Sequence, residues 1–244
     1  MRGAAIIAGM TLLLTLLLQP AAAEAVELEL VLAIDVSASV NDEEYALQRL
    51  GTAAAFRAPA VQDAVSMAPG GIAVTVFHWA SRDYQVVAIP WTQLQSRESL
   101  DAFADEVARM PRRVSGGGTA IHAALAFGHR LFGDSPVRGR RRVIDLAGNG
   151  EANQLSATLE MRDRIVAAGV VINGLAIEEL KADLTSYFRD SVIGGPGAFV
   201  ETAWDFGDFA RAMRLKLLRE IGDRRISRAL PPGNAEPRRT VAQD

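Results

Sequence analysis

Short apolar runs rich in branched residues alternate along this chain with segments of helical spacing, and no other feature limits its fold so strongly. A strand buried on both faces reads as a continuous apolar run, and strands separated by helices pair in parallel with helices covering both faces. Residues 28–34 (LELVLAI) form the first such run, and Asn41 is placed to cap a helix whose first turn carries Asp42, Glu43 and Glu44. Tyr45, Leu47, Leu50, Ala54 and Phe56 then recur at steps of two to four residues, which reads as helical spacing. Residues 72–79 and 84–90 read as two strands joined by a tight antiparallel connection. Further strands are predicted over 142–147, 170–177 and 198–201, and helices over 99–110, 119–132, 153–168, 180–189 and 204–221. The expected fold is α/β: a doubly wound, mostly parallel sheet with one antiparallel edge strand and helices on both faces.

Composition narrows the chemistry. The 244 residues are 49% hydrophobic, enough for an ordinary core, and no long linker interrupts them before the final twenty or so. With 26 Lys and Arg against 29 Asp and Glu, the net charge of −3 gives no overall attraction to nucleic acid. The absence of cysteine excludes disulfides, thiolate metal sites and cysteine nucleophiles, leaving oxygen and imidazole groups to do any chemistry.

Residues 1–23 have the layout of a secretory signal peptide: Arg2, an apolar run over 4–18, then Gln19-Pro20-Ala21-Ala22-Ala23. The run is shorter than the roughly 20 residues a membrane-crossing helix needs. Cleavage after Ala23 is expected, delivering the domain of residues 24–222 to a bacterial periplasm or beyond, with no transmembrane span. Residues 223–244 hold five arginines against Asp223, Glu236 and Asp244, a net charge of +2, and read as a flexible solvated tail.

In a doubly wound sheet, ligands gather outside the carboxyl ends of the strands. The first strand ends there in Asp35-Val36-Ser37-Ala38-Ser39, a carboxylate followed by two hydroxyls at two-residue steps. Three oxygen groups aimed at one point suit a hard cation, although serines after a strand also serve as helix caps. A second segment, Ser115-Gly116-Gly117-Gly118-Thr119, combines close backbone approach with a hydroxyl at a helix start. A third, Gly148-Asn149-Gly150-Glu151, follows the strand over 142–147. Asn153 is placed to cap the next helix, and Arg112 and Arg113 precede the glycine loop, where they can meet an acidic ligand. Asp145, inside an apolar strand, needs a partner and reads as a structural hydrogen-bond hub rather than a ligand.

These three segments, in this order, resemble the metal-ion-dependent adhesion site of von Willebrand factor A domains, and residues 26–222 resemble secreted bacterial proteins of that type with unassigned function. The resemblance implies a Rossmann-like von Willebrand A fold and a Mg²⁺ or Mn²⁺ ion, with Ser37, Ser39 and Thr119 as direct ligands and Asp35 as a water-bridged or hydrogen-bonding carboxylate. It further implies a protein partner presenting an Asp or Glu carboxylate to the ion, without catalysis. Where the family pattern has an aspartate before glycine, this chain has Asn149, which removes a negative charge from the site. Two rival readings are a metal-dependent hydrolase and a metal-free scaffold. Against the first, the chain has no G-x-S-x-G elbow, P-loop or H-E-x-x-H motif, and His78, His122 and His129 have no zinc-site spacing.

Overall fold

The computed structural model describes residues 25–113, 116–179 and 182–222. The expected signal peptide and tail lie outside them. Strand β1 (Ala25–Asp35) runs through the middle of the sheet, and the two-residue period of a strand with both faces buried explains its unbroken apolar run from Leu30 to Ile34. Leu28, Leu30, Leu32 and Ile34 enter one core cluster, whereas Val31 and Ala33 enter the other.

The remaining elements are α1 (Asp42–Arg57), α2 (Pro59–Met67), β2 (Ile72–Trp79), β3 (Gln85–Leu94), α3 (Arg97–Arg109), α4 (Ile121–Leu131) and β4 (Arg138–Gly148), followed by α5 (Leu155–Ala167), β5 (Val171–Ile177), α6 (Leu184–Ser191), β6 (Val200–Ala203) and α7 (Phe209–Ile221). The sheet order is β3-β2-β1-β4-β5-β6. Only β2 and β3 pair antiparallel among the five strand pairs. One core cluster takes in residues of α1, α3 and α7, the other residues of α4, α5 and α6. This is the doubly wound α/β sheet expected from the alternation of patterns.

Strand β3 passes Pro90, where the sequence reading ended it, and continues to Leu94. Proline lacks an N–H to donate, yet β3 is an edge strand and its register with β2 shifts around the paired positions Val74 and Val76, so the ladder tolerates it. Asn41 caps α1 in a reciprocal box with Glu44, as its position predicts. Asn153 does not cap α5. That position falls to Gln154 without a side-chain bond, while the Asn153 amide N–H donates to the Thr119 carbonyl over 3.0 Å.

The helix expected after Asn41 is present, but its apolar positions do not all face the core. Tyr45 and Phe56 are buried, but Leu47 and Leu50 are 38% and 50% exposed, and Ala54 is exposed as well. The inward face consists instead of Gln48, Gly51, Thr52 and Ala55. The reason is the close approach of α7: a β-carbon on Gly51 would lie 2.9 Å from Phe209 Cδ1 and 3.1 Å from Ala210 Cα. Small residues admit the neighbouring helix, and the leucines turn outward. Gly51→Val is therefore expected to destabilise the domain by about 1–3 kcal/mol through overpacking, whereas Leu50→Ala changes stability by less than about 0.5 kcal/mol. Urea denaturation of the two variants checks this, and equal losses would contradict the packing account.

Candidate metal centre

Strands β1 and β4 lie side by side in parallel, with Ile34 opposite Ala147. Beyond that rung, the chain from β1 turns toward α1 and the chain from β4 toward α5, which pack on opposite faces of the sheet. The crevice between these diverging connections receives the residues that follow both strands.

Asp35 is fully buried at the end of β1, and its Oδ1 accepts the Ser37 amide N–H at 2.8 Å. That bond curls the segment so that Ser37 Oγ and Ser39 Oγ come within 3.1 Å of each other. The Ser39 hydroxyl donates to Asn149 Oδ1 at 2.7 Å, and Asn149 Nδ2 donates back to the Ser39 carbonyl at 3.1 Å. Asn149 thus clamps Ser39 at both ends of its amide. An aspartate there would lack the returning donor.

Four of the five residues singled out from sequence, Asp35, Ser37, Ser39 and Asn149, therefore form one hydrogen-bonded group. The fifth, Thr119, flanks it. Its Oγ1 lies 3.6 Å from where a β-carbon on Gly150 would stand, and its side chain has no hydrogen bond to the other four among the described residues. The glycine loop is drawn in by Ala38 N–H, which donates to the Gly117 carbonyl at 3.0 Å. Gly117 has φ +88°, and a β-carbon there would stand 2.2 Å from Ser81 Oγ, so the position demands glycine. Ser81 Oγ in turn accepts the Gly118 N–H at 2.7 Å.

Burial pushes the Asp35 carboxyl up to about 6, against the opposing pull of its bonds to Ser37 and the Asn149 backbone and of the Arg112 charge. Its second oxygen, Oδ2, is buried without a hydrogen-bond partner among the described residues. An orphaned carboxylate oxygen beside two hydroxyls and an amide oxygen is a donor set that fits Mg²⁺ or Mn²⁺, which prefer oxygen ligands. Among the described residues, no group of three or more His, Cys, Asp or Glu side chains offers an alternative centre.

Arg112 is not a free arginine awaiting an acidic ligand. Its guanidinium donates to the Val36 carbonyl at 3.1 Å and the Val40 carbonyl at 2.7 Å, pairs with Asp42 at 2.8 Å and lies over the Tyr45 ring. It ties together the two ends of the serine loop, a role that spacing alone did not reveal. Asp145 has the charged partner its burial calls for, Lys216 of α7, but it is not the hydrogen-bond hub expected from sequence, since neither of its oxygens has a hydrogen-bond partner among the described residues. The signal for that partner was present in sequence, since Lys216 and Glu220 fall on the same helical stripe as Phe209, Met213 and Leu217.

A family model described as "Protein of unknown function (DUF1194)" matches residues 25–225. No curated protein matches the sequence. Among solved structures, the chain is similar to proximal thread matrix protein 1 from the mussel byssus with a zinc-occupied MIDAS motif, at 17% identity over 79% of this chain and 47% of that one, TM-score 0.59. It is similar also to the pilus adhesin SpaC from Lactobacillus rhamnosus GG, at 13% identity over 80% of this chain and 30% of that one, TM-score 0.59. A third likeness is to the von Willebrand factor domain of the type V pili tip protein Mfa5 from Porphyromonas gingivalis, at 11% identity over 86% and 98% of the two chains, TM-score 0.55. The chain spans about half or less of the mussel and SpaC structures. Identities this low carry the fold alone, and that fold is the von Willebrand A type.

Behind the serine loop, a second polar chain holds the segment that carries Arg112. The Arg113 amide N–H points at His78 Nδ1 over 3.5 Å, leaving Nε2–H to donate to Tyr45 Oη at 3.2 Å, and the Tyr45 hydroxyl donates to the Met110 carbonyl at 3.1 Å. Only a neutral imidazole can serve both neighbours in this way. Burial lowers the His78 pKa to about 4, with the Arg113 and Arg112 charges acting in the same direction. Between about pH 6.5 and 4 the unfolded chain binds a proton that the folded chain refuses, so this contribution to stability is lost as pH falls. Wild type is expected to lose about 2 kcal/mol more than His78→Gln between pH 7 and pH 5. Denaturant titrations at the two pH values measure the difference, and parallel losses would contradict the assignment.

Proposed function

The chain belongs to the DUF1194 family of proteins of unknown function, and from that premise we propose that it is a secreted, non-enzymatic protein-binding module built around a Mg²⁺ or Mn²⁺ site. The observation that carries this reading is the convergence of Ser37 Oγ, Ser39 Oγ and Asn149 Oδ1 from two strand ends beside the orphaned Asp35 Oδ2. Ser37, Ser39 and Thr119 would hold the ion, with Asp35 and Asn149 supporting them. A cation held mainly by neutral hydroxyls keeps much of its charge uncompensated, which suits it to receive an Asp or Glu carboxylate from a partner protein. Two fold relatives, the mussel protein with a zinc-occupied MIDAS motif and the manganese-loaded TRAP protein of Plasmodium vivax, support a metal in this position.

The protein's own residues prepare the site. Arg112 holds the carbonyls of Val36 and Val40, Asp35 holds the Ser37 amide, and Asn149 holds Ser39, so both hydroxyls are positioned before any ligand arrives. Among the described residues, no histidine hydrogen-bonds to Ser37 or Ser39, which favours binding over nucleophilic catalysis. We assign residues 1–23 to a cleaved signal peptide, 24–222 to the domain and 223–244 to a flexible tail, which places the protein in the periplasm or outside the cell. Among the described residues, no helix is long and apolar enough to cross a membrane.

A metal-free scaffold is the second reading, favoured by the fact that Ser37, Ser39 and Asn149 already hydrogen-bond to one another. Calorimetry separates the two. Mg²⁺ binds wild type, and Ser37→Ala abolishes the binding. In Asn149→Asp, one added charge at close range tightens it by roughly tenfold or more, because a unit charge pair at about 4 Å and an effective dielectric near 20 is worth several kcal/mol. The same variant melts at a lower temperature than wild type in chelator, having lost the donor to the Ser39 carbonyl. A melting temperature of wild type indifferent to Mg²⁺, Mn²⁺ and chelator would establish the scaffold instead.

A further inference from the structure

Three ionisable side chains lie in the interior between β4 and α7, away from the candidate metal centre. Lys216, Glu220 and Asp145 are 1%, 2% and 3% exposed. Lys216 Nζ stands 2.5 Å from Asp145 Oδ1 and 3.1 Å from Glu220 Oε1. Asn173 Nδ2 donates to that same Glu220 oxygen at 2.7 Å, and the Phe199 ring centroid is 4.6 Å from Nζ. A buried ion pair offsets its desolvation only when the remaining oxygens are hydrogen-bonded. Here they are not: both Asp145 oxygens and Glu220 Oε2 have no hydrogen-bond partner among the described residues. The lysine nitrogen is thus 2.5 Å from an Asp145 oxygen with which it makes no hydrogen bond, and that oxygen is one C–O bond from the carboxyl carbon.

We infer that Lys216 and Asp145 form a site of covalent modification within the chain, their side chains condensing to an amide with Glu220 as the proton carrier. Glu220 first takes one proton from the Lys216 ammonium, freeing the Nζ lone pair that attacks Asp145 Cγ; as the C–N bond forms Nζ gives up a second proton, one of the two is passed to the departing hydroxyl, the C–O bond breaks, one water leaves and Glu220 keeps the other proton. Nothing is oxidised or reduced, and no co-reactant is required. Three physical conditions favour the step. The reacting groups are held together by two rigid elements, which replaces a bimolecular encounter with a unimolecular one. Burial, reinforced by the neighbouring Glu220 carboxyl, keeps Asp145 in its acid form well above the usual carboxylate range, and the acid form carries the hydroxyl that must leave. Finally, the step exchanges the buried charges of the Lys216 ammonium and the Glu220 carboxylate for a neutral amide and a neutral acid, in an interior that shields the product from bulk water. The link staples α7 to the central sheet.

The test is the intact mass of the purified full chain, with its amino terminus read from the same sample, followed by peptide mapping. Wild type is expected to be lighter than its sequence by one water and to yield a branched peptide joining the segments that contain Asp145 and Lys216. Glu220→Gln keeps both reacting groups but removes the proton carrier, so it is expected at its full sequence mass with no branched peptide. Wild type at full mass without the branched peptide would overturn the proposal and leave an ion pair only, a result that needs no folded variant to obtain. Linked peptide in Glu220→Gln would overturn the part assigned to Glu220.

Discussion

The register between β1 and β4 is the constraint on which the candidate site depends. Because Ile34 stands opposite Ala147, the next residues on the two strands, Asp35 and Gly148, reach the end of the sheet together. The serine loop and Asn149 then emerge as neighbours although they are 110 residues apart in sequence. A slip of one residue would turn the alternating side chains of β1 to the wrong faces, taking Leu28, Leu30, Leu32 and Ile34 out of the core cluster they share with Phe56, Phe103 and Phe209. Apolar burial on both faces of one strand therefore sets the position of a polar group beyond its end.

Given that frame, the polar residues near the strand ends divide the work of holding loops. Arg112 bridges the carbonyls on either side of the serine turn and is itself carried by a segment anchored through His78 and Tyr45. The Ala38–Gly117 and Asn153–Thr119 backbone bonds draw the glycine loop against its two neighbours. Each loop end thus has a hydrogen-bond partner in another loop, which is how a surface crevice acquires defined geometry without regular secondary structure. Asp35 Oδ2 is, among the described residues, a buried carboxylate oxygen at the site without a hydrogen-bond partner, and such an atom calls for a ligand.

Much of this was legible in the amino-acid order. Apolar runs with branched residues mark the strands, and the Asn41–Glu44 box marks the start of α1, because both depend on local backbone chemistry. Two of the three loop motifs were visible as oxygen-bearing residues after predicted strands, and the other as a glycine run before a helix start. Local pattern misled where a neighbour decided the outcome. Leu47 and Leu50 satisfy a helical apolar spacing, yet α7 approaches α1 at Gly51 and turns them to solvent. Pro90 signals a strand end, yet an edge position lets β3 run past it. Arg112 reads as a loop charge able to meet an acidic ligand until its carbonyl partners are seen.

What the sequence by itself determined is the kind of layer each segment joins, since propensity, capping and hydrophobic period act over a few residues and need no distant partner. It also determined that oxygen donors follow the first and fourth strands. Only the tertiary structure decided which of those donors meet: Ser39 with Asn149 across the β1–β4 boundary, and Thr119 beside Gly150 rather than bonded to the serines. The same holds for Asp145 and Lys216, which come together because β4 and α7 pack across the core. Contacts between residues far apart in the chain depend on strand register and helix docking, and those are settled by the collective burial of both sheet faces, a quantity no local window contains.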